Sequence, residues 1–426
     1  AMDHPDLWPR VVEALRDPEV AASASEALLE AGAPVVPHLA AGLRRHPDDR
    51  PFRLAVLRIL GLIGGPGIVS PLVPLLDAHD RDERTAALSA LVRSGAPEKT
   101  REALGNEATR RLERELAQAA EAFVALADLE ALPDGRPGAA AEPLRTALAE
   151  EVAGARHRIF LLLALAKPGR DVAVAWENYA SGSREKRGYA LELLDSQLTT
   201  EERARIFPLL EDLSLAERIA ALPDGPSGRR LPPAERVAGM TRDSGLSPWT
   251  RLCACRLAVE LQVEAPPLDD DQRRLYERAS RLGRVELFRD LPASVLARVV
   301  PRLELREVEA DRTVIRKGET GDSMYVILEG CVRVHDDGRE LAVLGGDNVF
   351  GEFTVLQRRP RTATVTTLEP TRLLRFTRHD LQELMQEEVG VARALIRVIL
   401  RRLRQNREIS AAGPAAPRSA PGSRRG

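Results

Sequence analysis

The sequence predicts a multidomain protein: an all-α, solenoid-like N-terminal region, then an α+β domain built on a β jelly-roll barrel with flanking helices. Three observations carry this expectation. Helix–turn–helix units recur at roughly thirty-residue spacing through the first hundred positions. Near residue 300 the apolar period changes from helical to strand-like. A chain of 426 residues, 44% apolar, is also longer than one compact core accommodates. Aromatics make up only 4% and the apolar content is mostly Ala, Leu and Val, a bias that favours helices.

The repeat is visible in its punctuation. Gly32-Ala33-Pro34, Gly65-Pro66 and Gly95-Ala96-Pro97 mark successive turns. Laying the segment from Ala33 on that from Pro66 matches Val35 with Ile68, Val36 with Val69, Leu39 with Leu72 and Leu43 with Leu76, all on one helical face. The second helix repeats as Ala24-Ser25, Ala55-Val56 and Ala86-Ala87, followed by Leu29, Leu60 and Leu91. One such pair cannot bury its apolar face alone, so neighbours must stack. These units resemble HEAT repeats, which implies a HEAT-like solenoid over residues 1–130; the alternative is an irregular helical bundle. Helical patterning continues at 98–132, 141–166, 171–180, 185–197 and 201–213, so 131–272 is expected to be a further repeat or bundle region. Pro133-Asp134-Gly135 reads as a turn and Pro223–Pro233 as an exposed loop. Asp269-Asp270-Asp271 reads as a solvated helix start rather than a metal site.

Residues 273–409 form the expected second domain. Short, β-branched, often alternating segments fall at 304–309, 313–317, 324–328, 332–335, 340–344, 363–367 and 372–376, separated by glycines. Helical patterns return at 379–387 and 391–407, and the Ala/Pro/Gly/Ser/Arg tail 410–426 is expected to be disordered.

The chemistry concentrates in Phe350-Gly351-Glu352-Phe353-Thr354-Val355-Leu356, followed by Pro360-Arg361-Thr362-Ala363. A glycine, a carboxylate, a short apolar helical turn and a Pro-Arg pair interrupt the strands. A cyclic phosphate needs a cation and hydrogen-bond donors. An arginine fork supplies charge-assisted bonds, and a helix start adds free N–H groups. A sugar hydroxyl needs an acceptor such as a carboxylate, and Gly351 permits close backbone approach.

This segment resembles the phosphate-binding cassette of cyclic-nucleotide-binding domains. Leu287-Phe288-Arg289-Asp290-Leu291, Gly318-Glu319-Thr320-Gly321-Asp322 and Tyr325-Val326-Ile327-Leu328-Glu329-Gly330 resemble further motifs of that family in family order. The resemblance covers residues 274–408 and implies cAMP or cGMP as ligand. By it, Glu352 takes the ribose hydroxyl and Arg361 the cyclic phosphate, with Phe350, Gly351, Thr362 and Ala363 also in the ligand site. The final helix would close over the base through Leu395, Val398, Ile399 and Arg402; equally, its stripe packs on the barrel or a partner helix. One position departs from the family: Asp347 stands where glycine is common. Asp tolerates left-handed backbone, so the turn is expected to survive.

Other classes are disfavoured. A net charge of −2 gives no drive towards nucleic acid or acidic lipid, and no helix-turn-helix follows the sensor. Three cysteines do not make a disulfide framework, and Cys253 and Cys255 are expected to be buried thiols of a cytoplasmic protein. The longest apolar run, 159–166, is far short of the ~20 residues of a spanning helix. No metal, Walker-type or nucleophile–base pattern is present, so no enzyme, metal or bound cofactor is expected. The chain opens Ala1-Met2, which leaves an upstream extension open.

The expected function is regulatory. Ligand binding would act through Leu287 and Phe288 on a solenoid surface that engages a protein partner or an attached membrane domain. The alternative is a ligand-free scaffold. The segment 189–195 upstream of such a sensor resembles bacterial proteins that join an ATP/ADP-translocase-like membrane domain to HEAT repeats and a cyclic-nucleotide domain. That resemblance would make the chain the soluble part of a transporter-like protein.

Overall fold

The computed structural model describes residues 5–381, except 18–19, 79, 95–97, 133–137, 139, 168–170, 223–229, 290, 337, 357–359 and 379. The proposed lid residues Leu395, Val398, Ile399 and Arg402, the helix at 391–407 and the tail therefore lie outside the described residues. So do the turns at 95–97 and 133–135 and most of the loop at 223–233. The chain divides into two compact units, Ala1–Leu268 and Asp269–Gly426.

The first unit contains helices and no strand among its described residues. They are α1 (Trp8–Glu13), α2 (Ala21–Ala31), α3 (Val36–Arg45), α4 (Arg50–Ile63), α5 (Val69–Leu72), α6 (Arg81–Arg93), α7 (Glu98–Glu130), α8 (Glu142–Ala166), α9 (Asp171–Ala180), α10 (Arg184–Asp195), α11 (Thr200–Leu210), α12 (Leu215–Ala221), α13 (Pro233–Met240) and α14 (Pro248–Leu261). The repeat has a local cause. Gly32 and Gly64 end α2 and α4 with φ of 67° and 65°, where a side chain would be strained. Asp49 and Asp80 begin α4 and α6: Asp49 accepts from the Phe52 N–H at 3.2 Å, and Asp80 from the Asp82 and Glu83 N–H groups at 2.8 and 3.1 Å.

Helices α2, α4 and α6 pack in succession, and α3 lies against α1 and α4. All eight apolar positions matched between the first helices are buried. In the second helices the match needs one correction. Leu29 is exposed and Leu28 takes the buried place, so Ala24 and Leu28 correspond to Val56 and Leu60 and to Ala87 and Leu91. The i, i+4 pair is kept while α2 is turned by one residue position, about 100°. Each fully buried leucine of this kind contributes roughly 1.5–3 kcal/mol. Beyond α6 the pattern changes: the long α7 packs along α8.

Buried ion pairs lace these helices. Arg53 on α4 makes a two-pronged bond to Glu83 on α6, Nε–Oε1 2.7 Å and Nη2–Oε2 2.8 Å, and donates from Nη1 to the Leu43 carbonyl at 3.0 Å. Arg158 on α8 donates to Glu115 on α7 at 2.9 Å. Asp128, wholly buried, accepts from Arg236 Nε at 2.7 Å, Arg230 Nε at 2.5 Å and the Leu231 N–H at 3.3 Å. Cys253 and Cys255 are both buried in α14, whose turns are enclosed on most sides. No helix among the described residues is long and apolar enough to cross a membrane.

The second unit opens with α15 (Asp270–Leu282). Asp269 accepts from the Gln272 N–H at 2.7 Å, and the Gln272 side chain accepts in return from the Asp269 N–H at 3.1 Å. The acidic triplet is thus a helix cap. After α16 (Ala293–Val299) come β1 (Glu304–Val308), β2 (Thr313–Ile315), β3 (Ser323–Glu329), β4 (Val332–Asp336), β5 (Arg339–Leu344), β6 (Val349–Phe350), α17 (Glu352–Leu356), β7 (Thr364–Thr367) and β8 (Thr371–Thr377). They form two antiparallel four-stranded sheets, β1-β8-β3-β6 and β2-β7-β4-β5. The core lies between the sheets: Ile315, Val332 and Val365 from one meet Tyr325, Ile327, Phe350 and Leu373 from the other. β6 was not among the expected strands, because two residues show no alternation. It pairs Val349 and Phe350 with Val326 and Tyr325, and so hangs the cassette from β3.

Candidate functional site

Two segments build the site, 316–322 between β2 and β3 and, around α17, 349–356 with 360–363. They are laced by backbone bonds: Gly318 N–H to Arg361 O at 2.8 Å and Arg361 N–H to Glu319 O at 2.9 Å. The turn before the cassette contains Asp347 in left-handed conformation, φ 64°. Asp347 N–H donates to Ile327 O at 2.8 Å, and Ile327 N–H to Asn348 O at 2.9 Å, so the non-glycine residue keeps the turn. Gly351, at φ 82°, then turns the chain into α17.

Glu352 and Arg361 are both buried, at 1% and 8% exposure. The Arg361 fork rests on main chain: Nη1 donates to Gly351 O at 3.0 Å and Nη2 to Ser323 O at 2.7 Å. Its guanidinium lies against two glycines. A Cβ on Gly321 would sit 2.4 Å from Nε, and one on Gly351 would sit 2.8 Å from Nη1. Burial draws the Arg361 pKa below its ordinary value, while Tyr325, Asp322 and Glu352 pull it back up. An arginine remains charged at neutral pH under such a shift. The described contacts of its two Nη atoms are thus carbonyl dipoles, not carboxylates, which leaves a buried cation able to meet an anion.

The other expected residues divide. Phe350 is a core side chain, 2% exposed and stacked on Tyr325 with centroids 5.2 Å apart, so its side chain packs in the barrel core. Thr362 is exposed and Ala363 half-buried beside Arg361. Leu287 and Phe288 are fully buried, and Phe288 stacks on Phe376 of β8 at 5.1 Å. Ser323, Asp322, Gly321 and Arg375 also belong to the site. Gly321 and Asp322 fall in a motif visible in the sequence, but only the fold shows that this loop cradles Arg361.

A cavity of about 350 Å³ lies elsewhere on this unit, between α15 and the outer faces of β1, β3 and β8. Its arginines 274, 278, 281 and 372 face Glu277, Glu307 and Glu329, so opposite charges nearly balance there. Among the described residues, no group of three or more His, Cys, Asp or Glu side chains stands in metal-binding arrangement.

The antiparallel β roll thus carries a glycine-lined, buried arginine and a buried carboxylate in one cassette. Residues 305–388 match the family model of the cyclic nucleotide-binding domain, and the C-terminal unit carries a domain of that kind. The chain is 37% identical over 131 residues to a putative potassium channel protein of Rhodopseudomonas palustris, covering 30% of this chain and 32% of that one. It is 31% identical over 129 residues to a CRP-like cAMP-activated global transcriptional regulator of Mycobacterium tuberculosis, covering 29% and 58%. The Thermus thermophilus catabolite activator protein structure aligns at 28% identity and a TM-score of 0.28, covering 30% of this chain and 62% of that one. The chain therefore spans about a third of the first relative and a little over half of the second.

Proposed function

We propose that this protein is a non-enzymatic sensor of cAMP or cGMP, in which Glu352 takes the ribose hydroxyl and Arg361 the cyclic phosphate. The observation that carries the reading is Arg361 itself: a buried cation whose fork lies on carbonyls between two glycines, with Glu352 buried at the start of the same cassette. The relatives similar to this chain are a putative potassium channel protein and a cAMP-activated transcriptional regulator, which supports a regulatory role.

Ligand occupancy would bias how the helical unit engages a protein partner or an attached membrane domain, as in a transporter-like protein with HEAT-type repeats. The stacked α2, α4 and α6 and the glycines that end α2 and α4 support the HEAT assignment. Any such effect is limited by the ligand's differential affinity for two conformations. A ligand-free scaffold is the second reading, favoured by the bonds that already occupy both Nη atoms of Arg361.

Calorimetric titration of cAMP and cGMP into the purified chain and its Arg361→Ala variant separates the two. Saturable binding, weakened by about 2 kcal/mol or more in the variant, is expected for a lost charge-assisted contact. No binding of either nucleotide at millimolar concentration would leave the scaffold. Hydrogen exchange with and without nucleotide then tests the coupling: unchanged protection in residues 8–261 would confine the ligand's effect to the barrel.

A further inference from the structure

We propose that Arg375 is a positioning residue for the ligand's phosphate, acting on Arg361 through Ser323; this rests on the reading of Arg361 as the phosphate contact. The β1–β8–β3 register places Arg375 opposite Glu304 on one side and Tyr325 on the other. Its fork reaches three groups. Nε donates to Ser323 Oγ at 2.7 Å, Nη1 to Glu304 Oε2 at 2.9 Å and Nη2 to Asp322 Oδ1 at 3.3 Å. Ser323 Oγ donates in turn to Asp322 Oδ1 at 2.6 Å. The triangle of Arg375, Asp322 and Ser323 pins the first residue of β3.

The carbonyl of that same residue receives Arg361 Nη2 at 2.7 Å. It also stands 3.2 Å from where a Gly351 Cβ would be, so it forms part of the cassette floor. A rotation of Ser323 would re-aim the Arg361 fork. Arg375 has a second effect of the same sign. Asp322 attracts Arg361, and by pairing with Asp322 Arg375 keeps that carboxylate from claiming the guanidinium. A phosphate then meets an arginine that is oriented but not paired with an acid. Arg375 touches no ligand in this account, and its whole influence passes through Arg361.

That restriction makes the idea testable by a double-mutant cycle in the full chain, titrated with whichever of cAMP or cGMP the parent binds more tightly. Arg375→Met should weaken binding about tenfold, a typical loss for a charge-assisted network. In an Arg361→Lys background the same substitution should change affinity less than twofold, because the group it positions is gone. A substitution that merely loosened the barrel would cost the same factor in both backgrounds, and that result overturns the proposal. So does parent-like affinity in Arg375→Met. Ser323→Ala removes the hydroxyl alone and serves if Arg375→Met does not fold; it should show a smaller loss with the same dependence on Arg361, and equal affinity there also overturns the idea. A parent that binds neither nucleotide defeats the ligand reading itself, a failure distinct from a parent that binds and an Arg375→Met that binds equally well.

Discussion

Arg53 in the helical unit and Arg361 in the barrel are buried in opposite ways. In the helical unit Arg53 meets the Glu83 carboxylate through two parallel bonds, and this pairing raises its pKa. In the barrel Arg361 meets carbonyls, and burial lowers its pKa. A guanidinium neutralised by an acid is finished as a structural part. One whose hydrogen bonds go to carbonyls, with Asp322 and Glu352 acting only through their charge, keeps its donors free of a carboxylate. Arg218 marks the boundary of this rule. It too rests on carbonyls, of Pro208, Glu211 and Leu213, yet its face is covered by the Phe123 ring at 4.4 Å. The glycines beside Arg361 differ in kind from that ring: they let its guanidinium lie against the main chain, where a side chain would displace it.

The contrast can be broken at several points. The largest effect is expected from Glu83→Ala, which strands a buried cation and should cost about 3–5 kcal/mol in urea unfolding of the helical unit. Arg361→Ala should change unfolding by less than about 1 kcal/mol while costing about 2 kcal/mol in nucleotide binding. Equal stability losses in the two variants would erase the distinction. Gly321→Ala comes next. Its methyl group would collide with the Arg361 guanidinium, and an affinity drop of about tenfold is expected in calorimetry.

A pH-dependent effect tests burial without pairing. His157 stacks on Trp176 with centroids 4.4 Å apart, and burial, helped by nearby Arg158, lowers its pKa to about 4 from 6.5. The unfolded imidazole takes its proton below 6.5 and the folded one only near 4, so stability should be full above pH 6.5 and fall as pH drops from 6.5 towards 4. Urea midpoints measured across that window should flatten in His157→Phe. The smallest change is expected from Asp347→Gly, which relieves a left-handed φ of 64° but frees more chain when unfolded, so the midpoint should move by less than about 1 kcal/mol.

These tests fall where local pattern ends and tertiary pairing begins. Helices α7 to α11 lie within a few residues of where apolar periodicity put them, because each spans several turns of repeated pattern. Seven strands were legible from alternation and glycine breaks; β6 was not, being two residues long inside the cassette. Asp347 was readable as a tolerated departure because Asp adopts left-handed backbone at modest cost. The one-residue turn of α2 was hidden, since Leu28 and Leu29 are equally apolar and only packing distinguishes them. Glu352 and Arg361 stood out through their spacing. Arg375 did not, because its partners are set by β-sheet register across some fifty residues, which composition and spacing do not encode.

Asp128 carries a consequence for how the helical unit can be cut. In a repeat array each unit contacts its neighbours alone. Here a carboxylate in α7 is satisfied by arginines that arrive 102 and 108 residues later. A shortened polypeptide ending before Arg230 would enclose that acid with no cation, and during synthesis the charge must wait for α13 to emerge. The helical unit is therefore tied together by a contact that its sequence completes late, and truncation before Arg230 should expose it to proteolysis more than the loss of its first helices does.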